Sequence, residues 1–319
     1  MTDADKPARP AQKKNLFAQL ELDTRLLGMI GAFIILCIGF HLVTDGRFLT
    51  SRNIFNLTIQ TVSVAIMATG MVFVIVTRNI DLSVGSLLAT CSAVMAMTQT
   101  FITPEVFGLG LNHPATAPIA IVVGIATGVV IGAFQGYIIG YLGVPAFIVT
   151  LGGLLVWRNV AWYLTNGQTI GPLDRNFMQF GGINGTLGET WSWIIGIIAV
   201  LFAFYSFWRS RRSKIAHEFP VKPVWAEVVM AGITAIAILG FVAVLNNYDV
   251  PRRRLQQMFE ARGEVMPDGF TQGYGLPISV LLLIAVAIVM TIVARRTRLG
   301  RYIFATGGNP DAAELSGIN

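Results

Sequence analysis

The sequence predicts an all-α fold, a polytopic bundle of about eight membrane-spanning helices, from three observations. Hydrophobic residues make up 54% of the 319 residues and charged residues only 13%, about half the charged share of an ordinary soluble domain. Apolar runs near the length that a helix needs to cross a bilayer recur along the chain. Basic residues lie mainly at the ends of these runs. A chain with so few charges cannot cover its own surface, so lipid must cover much of it.

Eight apolar runs are long enough to be candidate spans. They cover residues 26–43, 54–77, 82–97, 117–139, 146–164, 191–208, 224–245 and 277–294. The third run is short and almost touches the second, so residues 78–81 form either a tight turn or a break within the bilayer. No soluble domain stands between the runs. The chain therefore divides into a cytoplasmic tail over 1–25, a transmembrane domain over 26–294 and a cytoplasmic segment over 295–319.

The distribution of lysine and arginine predicts the orientation, because cytoplasmic loops of membrane proteins carry an excess of basic residues. With the amino terminus inside, the inner segments hold 15 basic residues and the outer segments hold 7. The loop over 246–276 opposes this assignment with four arginines. Four acidic residues accompany them, however, and long loops cross the membrane largely regardless of charge. We therefore predict a multi-pass protein with a cytoplasmic amino terminus.

The sequence lacks the features of enzymes and of nucleic-acid-binding proteins. The net charge is +6, but the basic residues follow the ends of apolar runs and form no patch for nucleic acid. The pattern G-x-x-x-x-G-K-[ST] of a phosphate-binding loop does not occur. The three histidines are scattered and the two cysteines lie inside apolar runs. We therefore predict no catalytic residues, no metal site and no cofactor.

Neutral polar side chains inside the spans are the candidates for a solute path. Arg158 is the one clear charge within a predicted span, whereas a proton- or ion-coupled carrier usually buries several. Uncharged amides and hydroxyls suit an uncharged, hydroxyl-rich solute, although such groups also bridge neighbouring helices with no solute involved. The residues that we predict along the path are the neutral Asn56, Gln60, Ser83 and Gln135, together with Asp81 from the segment before the third run.

One predicted span carries glycine at every fourth position. These residues are Gly124, Gly128, Gly132, Gly136 and Gly140. The spacing lays them along one face of a helix, so that another backbone can approach closely. We expect that face to pack against a neighbouring helix and to have no chemical role.

The segment over 78–85 joins two predicted spans and places polar residues where lipid offers no partner. Asp81 or Ser83 can cap the amino end of the third helix by accepting hydrogen bonds from its free amides. A helix amino terminus inside a membrane can instead face a solute path, as in the broken helices of transporters. We expect capping to be the main role.

The last segment, over 295–319, combines a basic run with the signals of a short helix. Four arginines over 295–301 mark a cytoplasmic exit. Asn309 is a good N-cap, Pro310 suits the first helical position, and Gly317 suits the position past the end. So short a helix is marginal alone in water. Packing must therefore hold it, either on its own membrane domain or on a partner.

Three blocks of the sequence resemble bacterial monosaccharide permeases of ATP-binding-cassette importers, of the ribose, galactose and xylose type. The blocks are GMVFVIVTRNIDLSVGS over 70–86, VPAFIVTLG over 144–152, and residues 297–319 with the phrases GGNP and LSGIN. They stand in the order of that family. The extra pair of spans over about 191–245 and the NGQTI segment over 166–170 resemble the xylose permeases.

The resemblance implies a permease subunit of the bacterial inner membrane that forms the path for a monosaccharide, D-xylose by this likeness, and that is not itself an enzyme. It implies a cytoplasmic ABC ATPase, a periplasmic sugar-binding protein and a second permease copy as partners within the lipid bilayer. The segment that couples to the ATPase comprises Gly308, Asn309, Pro310, Ala312, Ala313 and Gly317. Family members continue with further apolar spans after LSGIN, so we expect this chain to lack the C-terminal spans.

Two other functions compete with this one. A secondary carrier or channel for a small polar solute would bury more charges and would need no docking helix on its inner face. A permease of the same architecture could also carry another pentose, a hexose or a branched-chain amino acid.

Overall fold

Each predicted span is a helix in the computed structural model, which describes residues 24–261 and 263–318. Along the described chain the helices are α1 (Thr24–Val43), α2 (Ser51–Val76), α3 (Val84–Met97), α4 (Thr103–Phe107), α5 (Thr116–Gly140), α6 (Ala146–Thr165), α7 (Arg175–Gly181), α8 (Gly188–Ala216), α9 (Val224–Asn246), α10 (Arg252–Glu260), α11 (Ile278–Arg296), α12 (Arg298–Gly308) and α13 (Pro310–Leu315). Within these ranges, 8 helices are long and apolar enough to cross a membrane. The all-α, eight-span prediction is confirmed. The predicted tail over 1–25 falls almost entirely outside the described residues, as do Arg262 and Asn319.

The third span is longer than the sequence predicted. Helix α3 ends at Met97, but the span continues through a π-helical turn over Thr98–Ile102 into α4 and so covers Val84–Phe107. The sequence pattern ended it early because Thr98, Gln99 and Thr100 are polar. Each of these side chains bonds to the carbonyl four residues earlier, as in the 2.8 Å bond from Thr98 Oγ1 to Val94 O. Polar groups satisfied inside their own helix do not need to end it.

Helix α12 was not predicted, since the basic run was interpreted only as a membrane exit. The Thr297 hydroxyl caps α12 by accepting from Gly300 N at 3.3 Å. Gly300 lies so close to the end of α11 that a Cβ there would collide with the carbonyls of Val293 and Ala294. Only glycine permits a turn this tight between two helices.

The chain divides into two compact units. Unit 1 takes its described residues from 24–56 and 187–276. In it, α8 packs against α9, and Gly196 lies where a Cβ would come within 3.0 Å of Val242. Arg211 holds the turn between them by donating to Lys222 O at 3.0 Å and to Glu227 Oε2 at 2.8 Å. The rings of Phe55, Tyr248 and Tyr274 form an aromatic cluster with centroids 4.9–5.3 Å apart.

Unit 2 covers residues 57–186 and 277–318, with α3 packed against both α5 and α6. Thr90 on α3 donates to Trp157 O on α6 at 2.7 Å. This bond draws the two helices together at a position where Thr90 is buried.

The glycine face of α5 does two things, which corrects the prediction of a single packing face. A Cβ at Gly124 would collide with the Met95 side chain, and one at Gly128 would lie 3.5 Å from Cys91 Sγ. This half of the face packs against α3. The remaining glycines, Gly132, Gly136 and Gly140, meet no atom within 4 Å and line a cavity instead. The helix that covers the first half of the face, α3, begins only at Val84.

Unit 2 has two faces, which we name by one residue each. The Asp174 face gathers the segments over 108–115 and 166–186: Asp174 N donates to Gln99 Oε1 at 3.0 Å, and Arg175 N donates to Asn112 Oδ1 at 2.9 Å. The Arg78 face gathers the segments over 77–83 and 297–318, which meet where Arg78 bonds to Gly307 and Gly308.

Candidate functional site

The segment between α2 and α3 begins with an arginine in an unusual backbone conformation. Arg78 has φ 61°, the left-handed region that ends helices and that few residues other than glycine adopt. Its amide donates to Ile75 O at 2.9 Å and the Asn79 amide donates to Val74 O at 3.2 Å. These two bonds satisfy the last carbonyls of α2 and turn the chain away from the helix axis.

Asp81 organises the other end of this segment. Its Oδ1 accepts from the Ser83 amide and from the Ser83 hydroxyl, both at 2.7 Å. The capping prediction is wrong for both residues: Asp81 accepts from the amide of Ser83, which precedes α3, and no side chain accepts from the first amides of α3 itself. The Ser83 side chain makes no capping bond to α3; it is fully buried between Asp81 and Gln135.

A chain of polar groups leads from Asp81 into the core of unit 2. Ser83 Oγ lies 2.7 Å from Asp81 Oδ1 and 3.1 Å from Gln135 Oε1. The Ser83 hydroxyl has a single proton, so the shorter contact to the carboxylate is the stronger hydrogen bond. Gln135 Nε2 is directed toward Gly153, where the Trp157 indole nitrogen also lies. These two buried donors, Gln135 Nε2 and Trp157 Nε1, have no hydrogen-bond partner among the described residues.

Gly153 is the place where these helices approach one another. A Cβ at Gly153 would collide with the Gln135 amide and would lie 3.1 Å from Ser83 Cβ and 3.3 Å from Trp157 Nε1. One turn earlier, the Thr150 hydroxyl lies 3.2 Å from Ile80 O and 2.8 Å from Ala146 O. The 78–83 segment is therefore bonded to both α5 and α6.

A cavity of about 470 Å³ opens beside this segment on the Arg78 face. Its polar lining comes from Thr77, Asn79, Asp81, Gln135 and Thr150. The glycines of the second half of α5 and Ile303 of α12 complete the wall. The volume falls within the roughly 300–1,000 Å³ typical of small-molecule sites, and the polar groups can exchange hydrogen bonds with hydroxyls.

The five residues predicted along a solute path do not form a single site. Asp81, Ser83 and Gln135 belong to the polar chain just described. Gln60 lines a second cavity, of about 660 Å³, on the Asp174 face of unit 2, together with Ser63 and Asn184. Asn56 lines a cavity within unit 1. The separation follows from helix geometry, because the 16 residues from Gln60 to the end of α2 span about 24 Å.

The predicted short helix forms as expected. Helix α13 is Pro310–Leu315, with Pro310 at the first position and the Asn309 side chain accepting from Ala312 N at 3.1 Å. Gly317 follows with φ 80°. Ala313 is 5% exposed, which resolves the question of what holds the helix: it packs on its own unit. Ala312 is exposed, and the Leu315 side chain is 90% exposed.

Sequence reasoning missed several residues of these sites. Trp157 and Thr150 looked like ordinary span residues, because nothing local marks a side chain that faces Gln135 or Ile80. Asp174 caps α7 by accepting from Asn176 N at 2.9 Å and Phe177 N at 3.1 Å. Its position before a polar pair is an N-cap signal that could have been found. Within the described ranges, no group of three or more His, Cys, Asp or Glu residues could hold a metal ion.

Comparisons with known proteins agree with the membrane architecture. The chain is 35% identical over 299 residues to the xylose transport system permease protein of Escherichia coli K12, a match covering 93% of this chain and 66% of that protein. It is 32% identical to the Haemophilus influenzae xylose transport system permease protein, over 95% of this chain and 71% of the relative. The ribose import permease protein of E. coli K12 is 40% identical over 52% of this chain and 49% of its own length. The resemblance to monosaccharide permeases is thereby confirmed.

The chain spans somewhat less than two thirds of the length of the E. coli xylose permease. No solved structure matches it. A family profile, described as branched-chain amino acid transport system / permease component, matches residues 53–319. Since that match extends over most of the sequence, this protein belongs to the family of branched-chain amino acid transport system permease components.

Proposed function

We propose that this chain forms the membrane path of an ATP-driven monosaccharide importer in the bacterial inner membrane. The sugar would be D-xylose, after the relatives named for it. A cytoplasmic ABC ATPase supplies the energy, a periplasmic sugar-binding protein delivers the sugar, and a second copy of the permease completes the path. The chain itself performs no catalysis.

One observation carries the proposal: a capped two-turn helix displays an apolar side chain on the Arg78 face. A leucine that is 90% exposed on α13 has no structural role in unit 2, whereas Ala313 of the same helix packs inward. Exposed apolar side chains of this kind serve as anchors at protein interfaces when a partner covers them. We assign the partner as the ATPase, because α13 lies within the segment that the family resemblance implies for coupling.

The two cavities of unit 2 support a path for an uncharged polar solute. One opens on the Asp174 face beside Gln60 and Asn184, and the other opens on the Arg78 face beside Asp81 and Gln135. The lining offers amides and hydroxyls and a single carboxylate, which suits a pentose better than an amino acid zwitterion. A sugar would pass from the first cavity toward the second as the ATPase cycles.

The proposal is tested with the full chain co-expressed with its ATPase and sugar-binding protein and reconstituted in liposomes. ATP-dependent uptake of D-xylose is expected, with ribose and L-leucine as competing solutes. Uptake of L-leucine in preference to both sugars would favour the amino acid alternative. Uptake that persists without ATPase and ATP would indicate a secondary carrier.

Docking is tested on α13 with paired charged and uncharged variants. Ala312→Arg and Leu315→Asp should reduce co-purification of the ATPase, because they place charge on the proposed contact. Ala312→Ser and Leu315→Met should retain it. Ala313 is unsuitable for this test, since a bulky residue there would disturb packing within unit 2. Undiminished co-purification with both charged variants would rule out α13 as the docking element.

The orientation with a cytoplasmic amino terminus is tested by labelling cysteines introduced at Ser213 and Asn184, with Cys37 and Cys91 replaced by alanine. Ser213 should react from the cytoplasm and Asn184 from the periplasm. Labelling of both from one side would contradict the predicted number of spans between them.

A further inference from the structure

Arg78 joins two segments that lie far apart in the sequence. Its Nε donates to Gly307 O at 3.1 Å and its terminal nitrogen donates to Gly308 O at 2.9 Å. These carbonyls belong to the last two residues of α12, where no following amide of the helix can reach them. A cation at the carboxyl end of a helix also has a favourable interaction with the helix dipole. The guanidinium therefore closes α12 directly before Asn309 begins α13.

The backbone reinforces this junction. Gly307 lies so close to the end of α2 that a Cβ there would collide with the carbonyl of Val76. The end of α12 thus packs against the end of α2 at Val76. Arg78, two residues after Val76, then forms hydrogen bonds to the same end of α12. The left-handed conformation of Arg78 turns its side chain out of the α2 helix at the point where the contact is made.

The 78–83 segment, which begins with Arg78, is also hydrogen-bonded at its other end to polar side chains in the core of unit 2. Ile80 O accepts from Thr150, and Asp81 binds Ser83, which contacts Gln135. Only two residues separate Arg78 from Asp81. A displacement of α12 and α13 therefore pulls directly on residues that line the 470 Å³ cavity.

Capping the end of α12 does not by itself require the two hydrogen bonds from Arg78. Arg78 and Gly308 are exposed, and water satisfies the carbonyls of an exposed helix end. A surface hydrogen bond of this kind adds little to stability. What the bidentate contact adds is geometry, since a planar guanidinium on two successive carbonyls fixes direction as well as distance.

We propose that Arg78 is a positioning residue that transmits movement of α13 to the Asp81–Ser83–Gln135 chain, so that ATP hydrolysis and sugar passage stay coupled. This role for Arg78 rests on the proposed function, since it requires an ATPase that binds α13. In this scheme Arg78 touches neither sugar nor nucleotide.

The experiment measures the number of D-xylose molecules imported per ATP hydrolysed by the full chain, reconstituted with ATPase and sugar-binding protein. Arg78→Ala should leave the ATPase bound but lower this ratio at least tenfold, with hydrolysis no longer responding to sugar. Arg78→Lys should restore the ratio in part, because one ammonium cannot hold both carbonyls in fixed geometry. Gly307→Ala should reproduce the defect, since its methyl group pushes α12 away from Val76. Arg301→Ala, on an exposed arginine of the same helix, is the matched control and should keep the wild-type ratio.

The outcomes separate this proposal from the proposed function. Failure of the wild-type chain to bind the ATPase or to import sugar contradicts the proposed function itself. A wild-type ratio in both Arg78→Ala and Gly307→Ala overturns the role of Arg78 while leaving the importer intact. Loss of ATPase binding in Arg78→Ala also overturns it, because Arg78 would then serve docking. Where Arg78→Ala does not reach the membrane, Arg78→Lys and Gly307→Ala decide the question alone.

Discussion

Asp174 and Asp81 lie near the starts of helices on the two faces of unit 2, and the two are held in different ways. Asp174 is fully buried, caps α7 through two amides, and donates its own amide to Gln99. Asp81 is half-buried, binds Ser83 twice, and lines a cavity. Each face has a cavity, but Asp81 lines the cavity on its own face whereas Asp174 does not line the other one. The comparison indicates that a carboxylate beside the start of a helix is structural in one place and faces a cavity in another, according to the packing around it.

The sharpest test of the Asp81 neighbourhood is Gly153→Ala. The added methyl group would collide with the Gln135 amide, and Ser83 and Trp157 leave no room on the other sides. Overpacking of this kind costs roughly 1–3 kcal/mol, and we expect a value near the upper end. The measurement is the free energy of unfolding, or the melting temperature, of the purified protein in detergent.

The adjacent glycine provides the control for this variant. A Cβ at Gly152 meets no atom within 4 Å, so Gly152→Ala should leave the stability unchanged or raise it slightly. Equal destabilisation by both substitutions would mean that the approach of α5 and α6 at Gly153 is not the cause.

At the opposite face, Asp174→Ala should destabilise unit 2 by about 2 kcal/mol, because two amides at the start of α7 lose their acceptor. Asp174→Asn should cost much less, since asparagine caps a helix about as well as aspartate. The loss of stability in each variant is measured by thermal unfolding of the detergent-solubilised protein. A large cost for Asp174→Asn would indicate that the negative charge itself is needed.

Alanine substitution should affect stability differently in the two halves of the α5 glycine face. Gly124→Ala meets the flexible Met95 side chain, which can move aside, so we expect a cost of only about 1 kcal/mol. Gly136→Ala enters the cavity without a contact and should leave stability intact while narrowing the proposed path. Thermal unfolding and D-xylose uptake by the same pair of variants measure the two effects separately.

Asp81→Asn should have the smallest effect on stability, below about 0.5 kcal/mol, because an amide oxygen can still accept from the Ser83 amide. It should nevertheless impair uptake if the carboxylate orients Ser83 and Gln135 for a sugar hydroxyl. The measurements are the amount of permease in the membrane and the initial rate of D-xylose uptake. Normal uptake at a normal amount of permease would show that Asp81 has only a structural role.

Much of the fold could be predicted because its signals are local. Lipid requires long apolar helices, so the composition of each run predicted a span, whatever it packs against. The end signals of α13 are local as well: Asn309 caps, Pro310 starts and Gly317 follows, as the sequence alone indicated. The third span was cut short at Met97 because polarity was taken as an ending, whereas Gln99 and its neighbouring threonines are satisfied within the helix.

The candidate sites were predicted less completely. Asp81, Ser83 and Gln135 were named from polarity and do meet, but Gln60 and Asn56 were named by the same rule and lie elsewhere. Polarity within a span does not indicate which helix face a residue occupies. Trp157 was passed over because its indole nitrogen gains importance only from the nearness of Gln135.

The amino-acid sequence alone was enough to predict the class of the protein, its eight spans and the ends of the short helix, because each depends on burial in lipid or on neighbours within four residues. The tertiary structure decided which glycines pack and which line a cavity, that Ser83 faces Gln135 rather than the start of α3, and that Arg78 reaches Gly307 and Gly308. These contacts join residues up to 230 positions apart. The reason is that side-chain partners across helices depend on helix rotation and approach, which are set by the packing of the whole unit and not by any local pattern.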